Sequence, residues 1–269
     1  MGSIIVPTNY YQHFDADFSL DVPGEGYGGW KREDLPISME HTAVVVMHAW
    51  NCGTREQYPG WHRAVEYLPR SYEICEKIFP ALLGAVRKSG LKLYHVVSSE
   101  DYCRSYQGLD RTKSFAGETP GSLEKVKDDE VLQQLHKFRT KNVFPGEHNQ
   151  PDITRGFANL AFPHEAKPQG NEAIAATSEQ LFALCRQEEV NHLIYTGFAI
   201  NWCLLLSPGG MADMSKKGIL CSAIRQAVTA VENKETARQE LNKELALWRV
   251  ALAFGFVYDA DDIIQAIAR

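Results

Sequence analysis

The stretch His192-Leu193-Ile194-Tyr195-Thr196-Gly197-Phe198-Ala199-Ile200-Asn201-Trp202-Cys203, followed by Leu204, Leu205 and Leu206, constrains the chain more than any other. A short apolar run rich in strand formers gives way to glycine in a small-residue turn, and then to a cysteine that opens a second apolar run. This is the pattern of a strand, a tight turn and a helix start. Cys203 is thereby placed at a helix N-terminus, where unpaired N–H groups and the positive end of the helix dipole favour an anion and so the thiolate. A thiolate there is a nucleophile, and neighbouring N–H groups can receive the oxyanion formed when it attacks a carbonyl. The chemistry that suits this corner is acyl transfer. Taken singly, a cysteine is more often a small buried hydrophobe. Gly197 and Asn201 in the turn argue for the functional role, because packing for bulk needs no sharp strand-to-helix corner.

A second continuous β-branched run, Thr42-Ala43-Val44-Val45-Val46-Met47, reads as a central parallel strand buried on both faces. His48 and Asn51 fall at or just past its C-terminal end, the edge where open α/β sheets bind ligands. From Ser71 to Ser89 the spacing of Ile74, Ile78, Leu82 and Val86 predicts a helix that kinks at Pro80 and stops at Gly90. The strand Leu91–Ser99 follows, so a right-handed crossover and a parallel sheet are expected. Further strands are predicted at 156–162, 192–198 and 219–224, with a final edge strand at 256–258. Helices are predicted at about 171–188, 234–254 and 261–267.

Residues 100–163 are polar and charged, with a short helix through Leu132, Leu135 and Phe138, and read as an insert that forms a lid or an oligomer contact. Residues 1–40, rich in Tyr, Phe, Gly and Pro without a helical period, read as an irregular N-terminal arm. The remainder, 41–269, reads as one domain carrying that insert.

The chain has 269 residues and is 44% hydrophobic, enough for a large single core. A net charge of −6 and a pI near 5.9 leave no basic footprint for nucleic acid or an anionic membrane. The expected partners are a small-molecule substrate and another copy of the chain. The six cysteines contain no Cys-x-x-Cys pair, which fits reduced usage without disulfides or a zinc knuckle. The N-terminal stretch lacks a basic region followed by an apolar core, and no apolar run reaches the roughly 18 residues of a membrane span, so a cytoplasmic location is expected.

With its early buried strand, its strand–helix unit and the segment Gly197-Phe198-Ala199-Ile200-Asn201-Trp202-Cys203, the chain resembles the isochorismatase-like cysteine hydrolases, which include nicotinamidases and N-carbamoylsarcosine amidase. The resemblance covers roughly residues 42 to 265. It implies a three-layer α/β/α sandwich with a six-stranded, mostly parallel sheet, assembly as a homodimer or homotetramer, and hydrolysis of a small amide through a Cys-Lys-Asp triad. Carried over by position, Cys203 is the nucleophile, the N–H groups of Ala199 and Cys203 form the oxyanion hole, and a cis peptide joins Phe198 to Ala199. Lys167 matches the triad lysine, the alternative being a solvated surface lysine.

The sequence departs from the family where the family places its aspartate, because this chain has His48. Histidine commonly activates a thiol, so a Cys203–His48 pair is chemically competent. The alternative for His48 is a hydrogen-bonded histidine at a strand end. Ile200 and Asn201 also replace a frequent Thr and Asp. Ser98-Ser99-Glu100-Asp101-Tyr102-Cys103 offers no match to the metal ligands of nicotinamidases, so neither a metal nor another cofactor is expected. Trp50, Asn51, Phe198 and Trp202 would line the substrate pocket, although core packing is the commoner role for such aromatics. Two functions follow: a cysteine hydrolase of a small amide or related C–N bond acting through a thioester, or a non-catalytic relative that binds a small molecule or serves in assembly.

Overall fold

A computed structural model describes residues 2–117 and 127–268. Its strands are β1 (Ser3–Gln12), β2 (Gly29–Ser38), β3 (Thr42–Met47), β4 (Lys92–Val96), β5 (Ala173–Ala175), β6 (His192–Phe198), β7 (Leu220–Thr229) and β8 (Val257–Tyr258). They form one sheet in the order β2-β1-β8-β7-β6-β3-β4-β5. From β8 to β5 neighbouring strands are parallel, whereas β1 runs antiparallel to both β8 and β2. The helices are α1 (Pro59–Ala64), α2 (Leu68–Lys77), α3 (Phe79–Ser89), α4 (Gln107–Ala116), α5 (Glu130–Asn142), α6 (Gln150–Phe157), α7 (Ser178–Gln187), α8 (Cys203–Leu206), α9 (Met211–Lys216), α10 (Leu241–Ala253) and α11 (Ala260–Ile267).

The sandwich has helices on both faces, as expected, but eight strands where six were expected. The six parallel strands are present, and the two additional ones come from the N-terminal segment. That segment is a long hairpin and not an irregular arm: its aromatic and β-branched residues pair from Ser3↔Ser38 to Gln12↔Gly29 and cover β8, which is therefore interior and not an edge strand. Glycine and proline in the connection masked a strand signal carried by Ile4, Ile5, Val6, Tyr10, Tyr11 and Trp30.

Every residue of β3 and β6 is buried, as continuous apolar strands between two helical layers must be. On one face Ala43, Val45 and Met47 pack with Leu181 and Leu184 of α7, Met211 and Met214 of α9, and Leu247 and Val250 of α10. On the other, Val44 and Val46 pack with Ile74 of α2, Leu82, Leu83 and Val86 of α3, and Ile263 and Ile267 of α11. Each such aliphatic side chain contributes roughly 1.5–3 kcal/mol by leaving water.

The helix expected over 71–89 is two helices, α2 and α3, separated at Ile78. Pro80 lies in the first turn of α3, where its missing N–H costs nothing, so the proline starts a helix instead of kinking one. Gly90 ends α3 in the left-handed conformation, as its position predicted. No strand forms at 156–162: α6 runs through Phe157, and Ala161 makes a single bridge with Asn51. The segment 171–188 contains the short buried strand β5 before α7, a strand hidden by its length of three residues, two of them alanine. The helix predicted through Leu132, Leu135 and Phe138 is α5, and none of its residues is buried.

Candidate active site

The site is built where β3 and β6 end side by side. Met47 pairs with Gly197, and a Cβ on Gly197 would stand 1.9 Å from the Met47 carbonyl oxygen. Gly197 also has φ +109°, so only glycine lets the two strands close to this distance. This approach brings His48, next after Met47, beside Phe198 and Ala199 at the C-terminal edge of the parallel sheet. The Phe198–Ala199 peptide is cis, as the resemblance implied.

The turn that follows is anchored from the end of β7. The Ile200 N–H donates to the Thr229 carbonyl at 2.8 Å. The Asn201 side-chain amide pairs with the Val231 backbone, Nδ2 donating to its carbonyl at 2.8 Å and Oδ1 accepting its N–H at 2.9 Å. Ala199's carbonyl accepts the N–H groups of both Trp202 and Leu204. The N–H groups of Ala199 and Cys203 donate to no acceptor among the described residues. The N–H groups of Ala199 and Cys203 are thus left unpaired at the two ends of the turn, and the Asn201 N–H between them likewise has no acceptor among the described residues.

Cys203 opens α8 as expected, but that helix is a single turn, stopped by Ser207-Pro208-Gly209-Gly210. One turn sums few peptide dipoles, so local N–H groups and not a long macrodipole are what the sulfur meets. Of the six cysteines Cys203 alone is partly exposed; the other five are buried, and burial raises the thiols of Cys52, Cys75, Cys185 and Cys221 to about 12 and that of Cys103 to about 11.

His48 is 5% exposed, at φ +50°, with its N–H donating to the Val96 carbonyl at 2.9 Å. Its ring stacks on Trp50 at 5.2 Å, and its Nδ1 is buried without a hydrogen-bond partner. Burial lowers its pKa to about 4, so the imidazole is neutral near pH 7. No hydrogen bond joins His48 to Cys203 among the described residues.

Lys167 is exposed, and its carbonyl accepts from Arg87 of α3. Its neighbour Ala166 packs in the same cluster as Ala49, Phe198 and Ala199, whereas Cys203 packs against the other face of the sheet. No hydrogen bond joins Lys167 to Cys203 or His48 among the described residues.

The four residues expected to line a pocket divide. Trp50 adjoins Phe157 and Tyr102 beside a cavity of about 340 Å³ lined by Ser98, Ser99, Asp101, Tyr102, Phe157 and Leu160. Asn51 is exposed, and its Oδ1 accepts the Gly53 N–H. Phe198 is buried, stacked on Phe79 at 6.0 Å, which is core packing. Trp202 is 61% exposed next to the thiol.

Two groups of residues escaped sequence reasoning. Tyr67 and Tyr72 flank the start of α2, and the Tyr72 hydroxyl accepts the Cys52 N–H and donates to the Gly53 carbonyl. Beneath β4, Glu172 accepts from Arg87 Nε at 2.6 Å and from His95 Nε2 at 2.9 Å. Burial pushes the Glu172 carboxyl up, but these bonds and the Gln169 N–H outweigh it and bring its pKa down to about 2. No spacing in the sequence joins residues 87, 95 and 172; the contact arises from the pairing of β4 with β5.

No family model matches the chain, and no curated protein matches it. Solved structures similar to it are isochorismatase-family cysteine hydrolases, nicotinamidases among them. A cysteine hydrolase from Pseudomonas syringae pv. phaseolicola is 14% identical, covering 87% of this chain and 95% of its own, at a TM-score of 0.47. An isochorismatase family protein from Burkholderia thailandensis is 14% identical, covering 86% and 97%, at 0.48. A nicotinamidase/pyrazinamidase from Bacillus subtilis is 15% identical, covering 81% and 99%, at 0.42.

Proposed function

We propose that the protein is a cysteine hydrolase that cleaves a small amide or related C–N bond. The observation that carries this reading is a single accessible thiol, Cys203, in a turn whose Ala199 and Cys203 N–H groups are unpaired, at the C-terminal edge of a parallel sheet where such folds bind ligands. In the proposed reaction the Cys203 sulfur, as thiolate, attacks the substrate carbonyl carbon. The displaced electron pair moves to oxygen, where the Ala199 and Cys203 N–H groups receive it. Collapse expels the amine, which takes a proton, and water then cleaves the thioester to release the acid and restore the thiol. His48, neutral above about pH 4, is the base that carries protons between sulfur, leaving group and water. Reaching either group requires the side chain or a bridging water to close the present separation.

Competitive labelling with iodoacetamide at neutral pH, read by peptide mass spectrometry, tests the reading. Cys203 is expected to label well before Cys185 and Cys221; equal rates at the three sites would contradict it.

A second reading, a non-catalytic protein that binds a small molecule or serves in assembly, is favoured by one observation: among the described residues His48 and Cys203 share no hydrogen bond and Lys167 is bonded to neither. The variant His48→Asp separates the two. Gain of amidase activity marks a decayed site, and loss of an existing activity marks one that works through histidine. Under either reading we propose a homo-oligomer, supported by the exposed Val131, Leu135 and Phe138 along one side of α5. Among the described residues no helix is long and apolar enough to cross a membrane.

A further inference from the structure

Tyr67 stands immediately before α2 and is 7% exposed. Its ring packs in one cluster with Ala49, Phe198 and Ala199, which are the residue after His48 and the two residues that lead into the turn before Cys203. Other buried tyrosines of this core spend their hydroxyls on protein acceptors: Tyr94 donates to Glu188 at 2.9 Å and Tyr195 to the Gly209 carbonyl at 2.8 Å. The Tyr67 hydroxyl bonds to no described residue, and although the residue is buried the hydroxyl is not among the fully buried polar atoms, so its oxygen keeps access to solvent or to a ligand. The thiols of Cys203 and Cys52 and the carboxylate of Glu66 lie close enough to act on it electrostatically. A donor without a protein partner therefore lies close to the nucleophile and to the residues that lead into its turn.

We propose that Tyr67 is a substrate-binding residue whose hydroxyl donates a hydrogen bond to the acyl oxygen of a neutral substrate held at Cys203. This rests on the reading of Cys203 as the nucleophile. Burial raises the phenol's pKa, and negative charge on Cys203, Cys52 or Glu66 raises it further, so the group stays protonated and serves as a fixed donor, not a proton shuttle. The same surroundings disfavour an anionic group beside it. Arg70, on α2, is already committed to Glu66, Glu240 and the Ala230 carbonyl. The substrate class that fits is an uncharged acyl donor.

The test compares two reagents on Tyr67→Phe. Iodoacetamide alkylates sulfur without building charge on a carbonyl oxygen. p-Nitrophenyl acetate forms an S–C bond through an oxyanion, then breaks the C–O bond so that p-nitrophenolate departs with the electron pair and the thiol proton passes to solvent. Tyr67→Phe is expected to slow acetylation of Cys203 roughly tenfold or more while alkylation stays within about twofold of the parent. Its melting temperature is expected to be unchanged, since no bond within the protein is lost. Unchanged acetylation would overturn the proposal, and so would an equal fall in both rates, which would mean that Tyr67 holds the cysteine and not the acyl group. If Cys203→Ser is acetylated as fast as the parent, the reading of Cys203 fails, whatever Tyr67 does.

Discussion

The carbonyl oxygen of Met47 lies 1.9 Å from where a Cβ on Gly197 would be, so β3 and β6 meet through a position that admits no side chain. That contact sets His48 beside the Phe198–Cys203 turn. Gly197→Ala is expected to lose at least about 3 kcal/mol of stability, from backbone strain at positive φ together with the forced separation of two central strands. Urea denaturation measures it; a variant as stable as the parent would show that the strands part without cost.

Burial of His48 makes stability depend on pH with a definite sign. Its pKa is about 4 in the folded protein against about 6.5 unfolded, so between these values the unfolded chain binds more protons. Folding free energy is therefore full above pH 6.5 and is lost as pH falls toward 4, by roughly 3 kcal/mol for this residue. His192, 7% exposed and also lowered to about 4 by burial, adds a loss of the same sign over the same window. His95, fully buried and also lowered by burial, adds a loss of the same sign, so His48→Gln is expected to flatten the slope of stability against pH by about a third; an unchanged slope would mean that His48 is not buried neutral.

The same shift bears on turnover. If His48 is the base, the acid limb of the rate profile is expected near pH 4 and not near 6.5, because only the neutral imidazole accepts a proton. Rates measured from pH 3 to pH 8 on any substrate found would show where the limb falls.

Glu172 and Arg87 form a mostly buried pair, and His95 completes it. Arg87→Met leaves the carboxylate without its cation and is expected to cost roughly 3 kcal/mol, read by denaturation at pH 7. The Glu172 pKa is lowered from 4.5 to about 2, so its contribution is present above pH 4.5 and is lost as pH falls through about 2. A stability change in Arg87→Met no larger than that of a surface substitution would contradict the burial of the pair.

What could be read from the sequence follows from how local each signal is. The runs Thr42–Met47 and His192–Phe198 declare themselves because a strand between two helical layers must be apolar throughout. The thiol at the strand-to-helix corner is equally local: glycine, small residues and cysteine lie within one turn of each other. The N-terminal hairpin was hidden because β1 and β2 are mostly half-buried or exposed, with only Val6, Thr8 and Ile37 buried, and so lack the continuous apolar signature. Strand β5 has three residues, too few for any periodicity. Tyr67 and the Arg87–His95–Glu172 cluster lie further out of reach, since their meaning exists only after α2 packs on β7 and β4 pairs with β5. Lys167 is the reverse case, a residue matched by position that the fold leaves exposed on α3's side of the sheet.

The central claim is that the Cys203 sulfur forms the covalent bond to substrate. Its most direct test is a brief reaction with p-nitrophenyl acetate, quenched in acid and mapped by peptide mass spectrometry. A single acetyl group on Cys203, absent from Cys203→Ser and formed more slowly in His48→Gln, is the expected result. Acetyl groups spread over surface lysines, with Cys203 unmodified, would contradict it.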